Sequence, residues 1–192
     1  MFEAISGLSA AFGLSGSAGL NAYIPLLVVA LAARFPMSDP LVKLQAPFDL
    51  MGSWWAIGLI AVLLVIEIVA DKIPAIDSIN DGIQTFIRPA AGAILFAGSA
   101  NVITDIHPIL SLGAGLLVAG GVHATKAAAR PVVTVTTAGV GNPVVSTLED
   151  IVAVVVSLLA VVLPIIAAVI LLVFLIFIIT IIRRWRRRKI MI

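Results

Sequence analysis

The 192-residue chain has no cysteine, one tyrosine, two histidines and little charge of either sign. Without cysteine there can be no disulfide, no thiolate-bound metal and no thiol nucleophile. The two histidines, His107 and His123, are too far apart in sequence to make a two-histidine metal motif on one helix. A carboxylate-bound cation stays open, and no cofactor is expected. Serine, histidine and aspartate all occur, but neither a G-x-S-x-G elbow nor an H-E-x-x-H run is present, so enzymatic readings are weak. An intramembrane enzyme acting on a lipid phosphate is the one kept as an alternative. Residues 1–35 also lack the marks of a cleaved leader. Glu3 stands where a basic start is expected, and glycine, serine, Asn21 and Pro25 interrupt the apolar run.

What the chain has is apolar length. Hydrophobic residues make up 61% and charged residues 11%, and the mean hydropathy is +1.21. A water-soluble helical fold needs polar helix faces, and several segments here have none. The expected class is an all-α integral membrane protein with five to six transmembrane segments, some of them broken or re-entrant. Residues 1–182 read as one transmembrane domain and 183–192 as a basic tail. Arg183, Arg184, Arg186, Arg187, Arg188 and Lys189 supply half of the twelve basic residues, leaving six against ten acids elsewhere. Such a cluster around Trp185, directly after an apolar run, reads as a cytoplasmic anchor to anionic lipid headgroups. Nucleic acid is not an expected partner, because nothing else in the chain is basic enough to track phosphates.

The first segment, 2–34, is about 33 residues or roughly 50 Å of helix, longer than a ~30 Å hydrocarbon core needs. Glycines and serines from Gly13 to Gly19, followed by Asn21 and Pro25, predict a helix broken between about Gly16 and Asn21. Ser15 and Gly19 equally fit a small-xxx-small contact between helices. A loop over 35–52 leads to Trp54-Trp55, an interface marker, and to a second span from Ser53 to about Val69. Glu67 and Asp71, four residues apart, share a helix face.

Two charged stretches follow. In the first, 71–88, Asp77 to Gly82 reads as a turn or a short helix start, and Arg88-Pro89 opens a third span, about 89–103. Thr104 to Pro108 reads as a reversal before a glycine-rich fourth span, Pro108 to about Ala124. In the second stretch, 126–143, His123, Lys126 and Arg130 would share one face if the helix continued, but Pro131 is expected to stop it. Ser146 to Glu149 fits a capping box, which predicts a helix start near Ser146. Residues 151–182 carry no charge, and Pro164 is their only breaker. They form either one kinked, tilted helix or two pieces.

The two charged stretches should lie on one side of the membrane, since two spans separate them. A single further span would put the tail opposite, and two would bring it back. The C-terminus is expected inside, with the side of the two stretches open. An offset of 54 residues pairs Lys72 with Lys126 and Pro89 with Pro143, which suggests an internal repeat of the kind found in transporters.

The run Ser15–Pro25, the sequence Asp71-Lys72-Ile73-Pro74 through Arg88-Pro89, and His123-x-x-Lys126 with Arg130-Pro131, Gly141-Asn142-Pro143 and Glu149-Asp150 carry a resemblance. Over roughly residues 5–165 the chain resembles the bacterial membrane family catalogued as domain of unknown function four-one-two-six. The resemblance implies a multispan protein of the bacterial inner (cytoplasmic) membrane and no established activity.

The expected function therefore rests on the charges. Ionisable groups at bilayer depth are costly, and they generally face a bundle interior or a wet cavity. Lys72, Arg88, Lys126 and Arg130, with Asn21, Tyr23, His123 and Asn142, would form a site for a small anionic or phosphate-bearing solute or headgroup. Glu67, Asp71, Asp77, Asp81, Glu149 and Asp150 would bind a coupling ion or proton. The expectation is a carrier-like transport protein; the alternatives are an ion channel and a non-transporting scaffold or lipid-binding protein. Membrane lipids are expected partners, and a homo-oligomer is compatible with the small-residue helices. The same charges could instead pair with one another as structural salt bridges.

Overall fold

Asn21 divides the first apolar segment. In the computed structural model α1 runs Phe2–Leu20 and α2 runs Tyr23–Arg34. The break falls at the far edge of the expected interval, Gly16 to Asn21, because Asn21 makes it: its Oδ1 accepts the amides of Tyr23 and Ile24, both at 3.1 Å. An asparagine accepting the first free N–H groups of a helix is the usual N-cap chemistry. Replacing Asn21 with alanine should cost about 1 kcal/mol of stability, measured by denaturant unfolding of the purified protein.

The structure describes the backbone of residues 2–35, 44, 46–100 and 107–164, with scattered residues of 166–180 beyond them. The side chains of 74–79 and the basic tail, 183–192, lie outside the described residues. Among the described residues the fold is all-helical, as expected. A short 3-10 turn, Phe48–Gly52, precedes α3 (Trp54–Ala70), and Ser53 caps α3 by accepting the amide of Ala56. Then come α4 (Pro74–Ala100), α5 (Pro108–Thr137) and α6 (Gly141–Val162).

Four expected boundaries are corrected. Arg88-Pro89 does not open a helix; α4 passes through Pro89 without ending. The stretch from Asp77 to Gly82 is helix within the same element. Likewise α5 continues through Pro131 to Thr137, where Ala138 takes a left-handed conformation. A proline inside a helix removes one N–H bond, and packing of the helix against its neighbours can outweigh that loss. The start expected at Ser146 moves back to Gly141, so Ser146 is an interior residue of α6, fully buried. The reversal expected over 104–108 falls largely outside the described residues. His107 caps α5 with its own ring, Nδ1 accepting the amide of Ile109 at 3.3 Å.

The contacts define two ends of the bundle. Arg34 lies over the Trp54 ring at 4.9 Å and Phe35 meets the same ring edge-on, so the last turn of α2 is beside the first turn of α3. Phe12 packs edge-on against Phe96, and Gly98 faces Leu44 and Phe48 at the same end. Since α1 runs from this aromatic end towards Asn21 and α2 returns to it, the broken helix is a hairpin with its tip at Asn21. Both charged stretches come together at the opposite, ionic end. Between the ends, Leu14, Ala18, Val29, Ala91, Leu95, Ala119 and Ala160 form the apolar core.

Large apolar side chains including Val62, Val65, Ile66, Leu117, Val154 and Leu158 point outward. By length and composition α5 and α6 could each cross a membrane. The two halves paired by the 54-residue offset occupy different settings: Lys72 follows a helix whereas Lys126 is inside one, and Pro89 is mid-helix whereas Pro143 is in a first turn. The fold gives the repeat no support.

Candidate functional site

Every long helix sends a polar group to the ionic end. At 3.0 Å from Arg88 Nη2 lies Glu67 Oε1, and neither side chain is exposed at all. The α3 helix places Asp71 one turn further on the same face, as the i, i+4 spacing requires. Its Oδ2 lies 3.8 Å from Arg88, 3.6 Å from Lys126 and 3.7 Å from Arg130, and its Oδ1 accepts from Asn80 at 2.7 Å. Ser146 reaches Asp71 from α6 at 3.4 Å. Asp81 is 3.7 Å from Arg88 Nη1. Because α5 continues past Pro131, His123, Lys126 and Arg130 do share one face, and all three are buried.

At the rim Glu149 stands between two cations, 3.0 Å from Lys126 Nζ and 3.4 Å from Arg130 Nη2. Lys72 pairs with Asp150 at 3.6 Å. Asp150 also accepts from the side-chain amide of Asn21 at 3.0 Å, which ties the hairpin tip to α6. Lys126 donates to the Leu20 carbonyl at 3.2 Å. A cation at the C-terminus of α1 suits the partial negative charge there.

Arginine can only donate, so His123 Nδ1, 3.0 Å from Arg88 Nη1, is the acceptor of that bond. The proton of the neutral ring is then on Nε2, which faces Thr85 Oγ1 at 3.1 Å. Thr85 passes its own hydrogen to the Asp81 carbonyl at 2.8 Å, so the hydroxyl is free to accept from the ring. His123 is therefore a neutral bridge from α5 to two residues of α4, Arg88 and Thr85.

Of the residues expected to form a site, Asn21, Lys72, Arg88, His123, Lys126, Arg130, Glu67, Asp71, Asp81, Glu149 and Asp150 all meet here. Tyr23 is buried in the first turn of α2 and interacts with Gln84 and Glu67. Asn142 has a different job: its amide donates to Thr134 Oγ1 at 3.0 Å and closes the turn from α5 to α6. The Asp77 side chain lies outside the described residues. Sequence reasoning missed Asn80, Gln84, Thr85 and Ser146. The signal was there, since Asn80, Gln84 and Arg88 repeat every four residues, but it is visible only if α4 is read as one helix. Among the described residues no group of three His, Asp or Glu is arranged to hold a metal.

The motifs that build this network fall within the reach of one family model, Domain of unknown function (DUF4126), which matches residues 8–184. The chain belongs to that family. The match takes in the hairpin from residue 8 onward, all of α3 to α6 and both charged stretches, so the ionic network lies inside the DUF4126 domain. No curated protein and no solved structure matches the chain.

Proposed function

We propose that this protein is an integral membrane carrier for a small anionic or phosphate-bearing solute or headgroup, with the ionic end as its site. The observation that carries the reading is Glu149, a single partly exposed carboxylate shared by the buried cations Lys126 and Arg130. One carboxylate bridging two cations occupies the position that a ligand carboxylate or phosphate oxygen would take. In this reading Glu149 is an internal competitor that the solute displaces.

The membrane placement uses α3, α4, α5 and α6 as crossings and α1–α2 as a re-entrant hairpin entering from the aromatic end. Counting 165–182 from its sequence as a fifth crossing returns the basic tail to the ionic side. That side is then cytoplasmic: it holds Lys72, Arg88, Lys126, Arg130 and the tail, whereas the segments of the other side carry Arg34 and Lys43 among several acids. The apolar core between network and aromatic end favours a carrier over an open channel. A scaffold is the second reading, favoured by the pairing of each network cation with a carboxylate.

The two readings predict opposite signs for Glu149→Gln. As a carrier, the variant should bind inorganic phosphate about 10-fold more tightly, roughly 1.4 kcal/mol, in calorimetry on detergent-purified protein. Lys126→Gln with Arg130→Gln should abolish binding in folded protein. Unchanged binding and transport in a stable double variant would sink the carrier reading. As a scaffold, Glu149→Gln would lower stability and leave phosphate unbound.

A further inference from the structure

Five carboxylates and four cations make up the described network: Glu67, Asp71, Asp81, Glu149 and Asp150 against Lys72, Arg88, Lys126 and Arg130. His123 adds no charge, because its Nδ1 accepts from Arg88. The network as drawn therefore has one negative charge in excess, in a place where uncompensated charge is costly.

The acids do not share that excess equally. Asp71 is held by three cations, Asn80 and Ser146. Glu149 faces two cations, and Asp150 has Lys72 and Asn21. Both are partly exposed, as is Asp81, so water can take part of their charge. Glu67 is 1% exposed and holds Arg88 by one oxygen only. Its other oxygen, Oε2, is buried with no hydrogen-bond partner. Nearby on α4 the side-chain oxygen of Gln84 is also buried and unpartnered, an acceptor with nothing donating to it.

We infer that Glu67 is a proton-binding site, carrying the proton on Oε2 while Oε1 keeps its bond to Arg88. A proton removes the excess charge without requiring further ligands. A metal cation at the same place would stand beside Arg88 and Lys126 and be repelled by both. The carboxylic acid also gains an O–H on the very oxygen that has no partner as an acceptor. The groups around Glu67 are Tyr23 from α2, Asp71 from its own helix, Arg88 from α4 and Lys126 from α5; Asp81 and His123 stand behind Arg88, Arg130 behind Asp71, and Glu149 and Asp150 of α6 at the rim. Exchange of the proton runs through the ionic end, where Asp81 and Glu149 reach the surface. The consequence, though not the proton itself, rests on the carrier reading: an anion held by Lys126 and Arg130 travels with the Glu67 proton.

Infrared spectroscopy of the purified protein tests this without any ligand. At neutral pH the native protein should show the C=O stretch of one protonated, buried carboxylic acid. Glu67→Gln should abolish the band and fold normally, since an amide is the neutral isostere. Asp81→Asn and Glu149→Gln should each keep it. No such band in the native protein overturns the inference, as does a band that survives Glu67→Gln or vanishes in Asp81→Asn alone. If Glu67→Gln fails to fold, the negative form was the native one, and the inference also fails. The carrier reading is judged separately, by phosphate binding in Glu149→Gln.

Discussion

Arg88→Met should be the most destabilising single change in this protein, lowering the unfolding free energy by about 3–5 kcal/mol. Arg88 is fully buried and lies near Glu67, Asp71 and Asp81. Methionine fills much of the space and removes the charge, which leaves Asp81 without the Arg88 cation and Glu67 Oε1 without its donor. It also strands His123 Nδ1, whose partner is the Arg88 guanidinium. Asp71 is buffered by Lys126 and Arg130, so most of the electrostatic loss should fall on Asp81. The double variant Arg88→Met with Asp81→Asn isolates that term. Removing both partners of an ion pair costs far less than removing one, so the double variant should recover part of the stability. Denaturant unfolding of the two single variants and the double variant gives the coupling energy, and a double variant no more stable than Arg88→Met would show that Asp81 is not the group left stranded.

The second large effect is steric. Gly92 of α4 and Gly115 of α5 meet face to face: a Cβ on Gly115 would run into the Gly92 carbonyl oxygen, and would lie 2.6 Å from Phe96 Cβ. A Cβ on Gly92 would meet the Gly115 carbonyl at 2.8 Å and the Ala119 methyl. The obstacles include backbone, which cannot rotate aside. Gly115→Ala should therefore cost about 1–3 kcal/mol, and Gly115→Val more. Gly113, on the same helix, faces open space. Gly113→Ala should be neutral or stabilising by about 0.5–1 kcal/mol, which controls for helix propensity. Thermal unfolding of the pair checks this; equal effects at 113 and 115 would mean the close approach of α4 and α5 does not matter. The approach also sets the Arg88–His123 distance, so Gly115→Val should damage the network as well as the fold.

The charged residues of the network could be read from the sequence because each breaks an apolar pattern. Glu67 and Asp71 are four apart at the end of an otherwise uncharged run, and His123, Lys126 and Arg130 repeat at helical spacing. The errors came from prolines. Reading Pro89 and Pro131 as boundaries cut α4 and α5 short, and with them the face that carries Asn80, Gln84 and Thr85. In water that rule is sound, since a proline inside a helix costs several kcal/mol. Here both prolines sit in long helices packed against neighbours, which hold the backbone on course. Ser146 was misassigned for a related reason: a capping-box pattern is local, and Ser146 is used by Asp71, 75 residues away in sequence.

Composition and periodicity alone determined that this chain is helical, that its surface is apolar and that its charges are gathered into two stretches. Each of these follows from what single residues prefer and from spacing along one helix. Only the tertiary structure decided that the first helix folds back at Asn21, that both charged stretches meet at one end, and which acid pairs with which base. Those outcomes depend on distances between segments far apart in sequence. They also depend on the Gly92–Gly115 contact, which brings α4 and α5 close along the same pair of helices that joins Arg88 to His123. The excess of one carboxylate over the cations could be suspected from the sequence, but its place at Glu67 follows from burial, which no local pattern encodes.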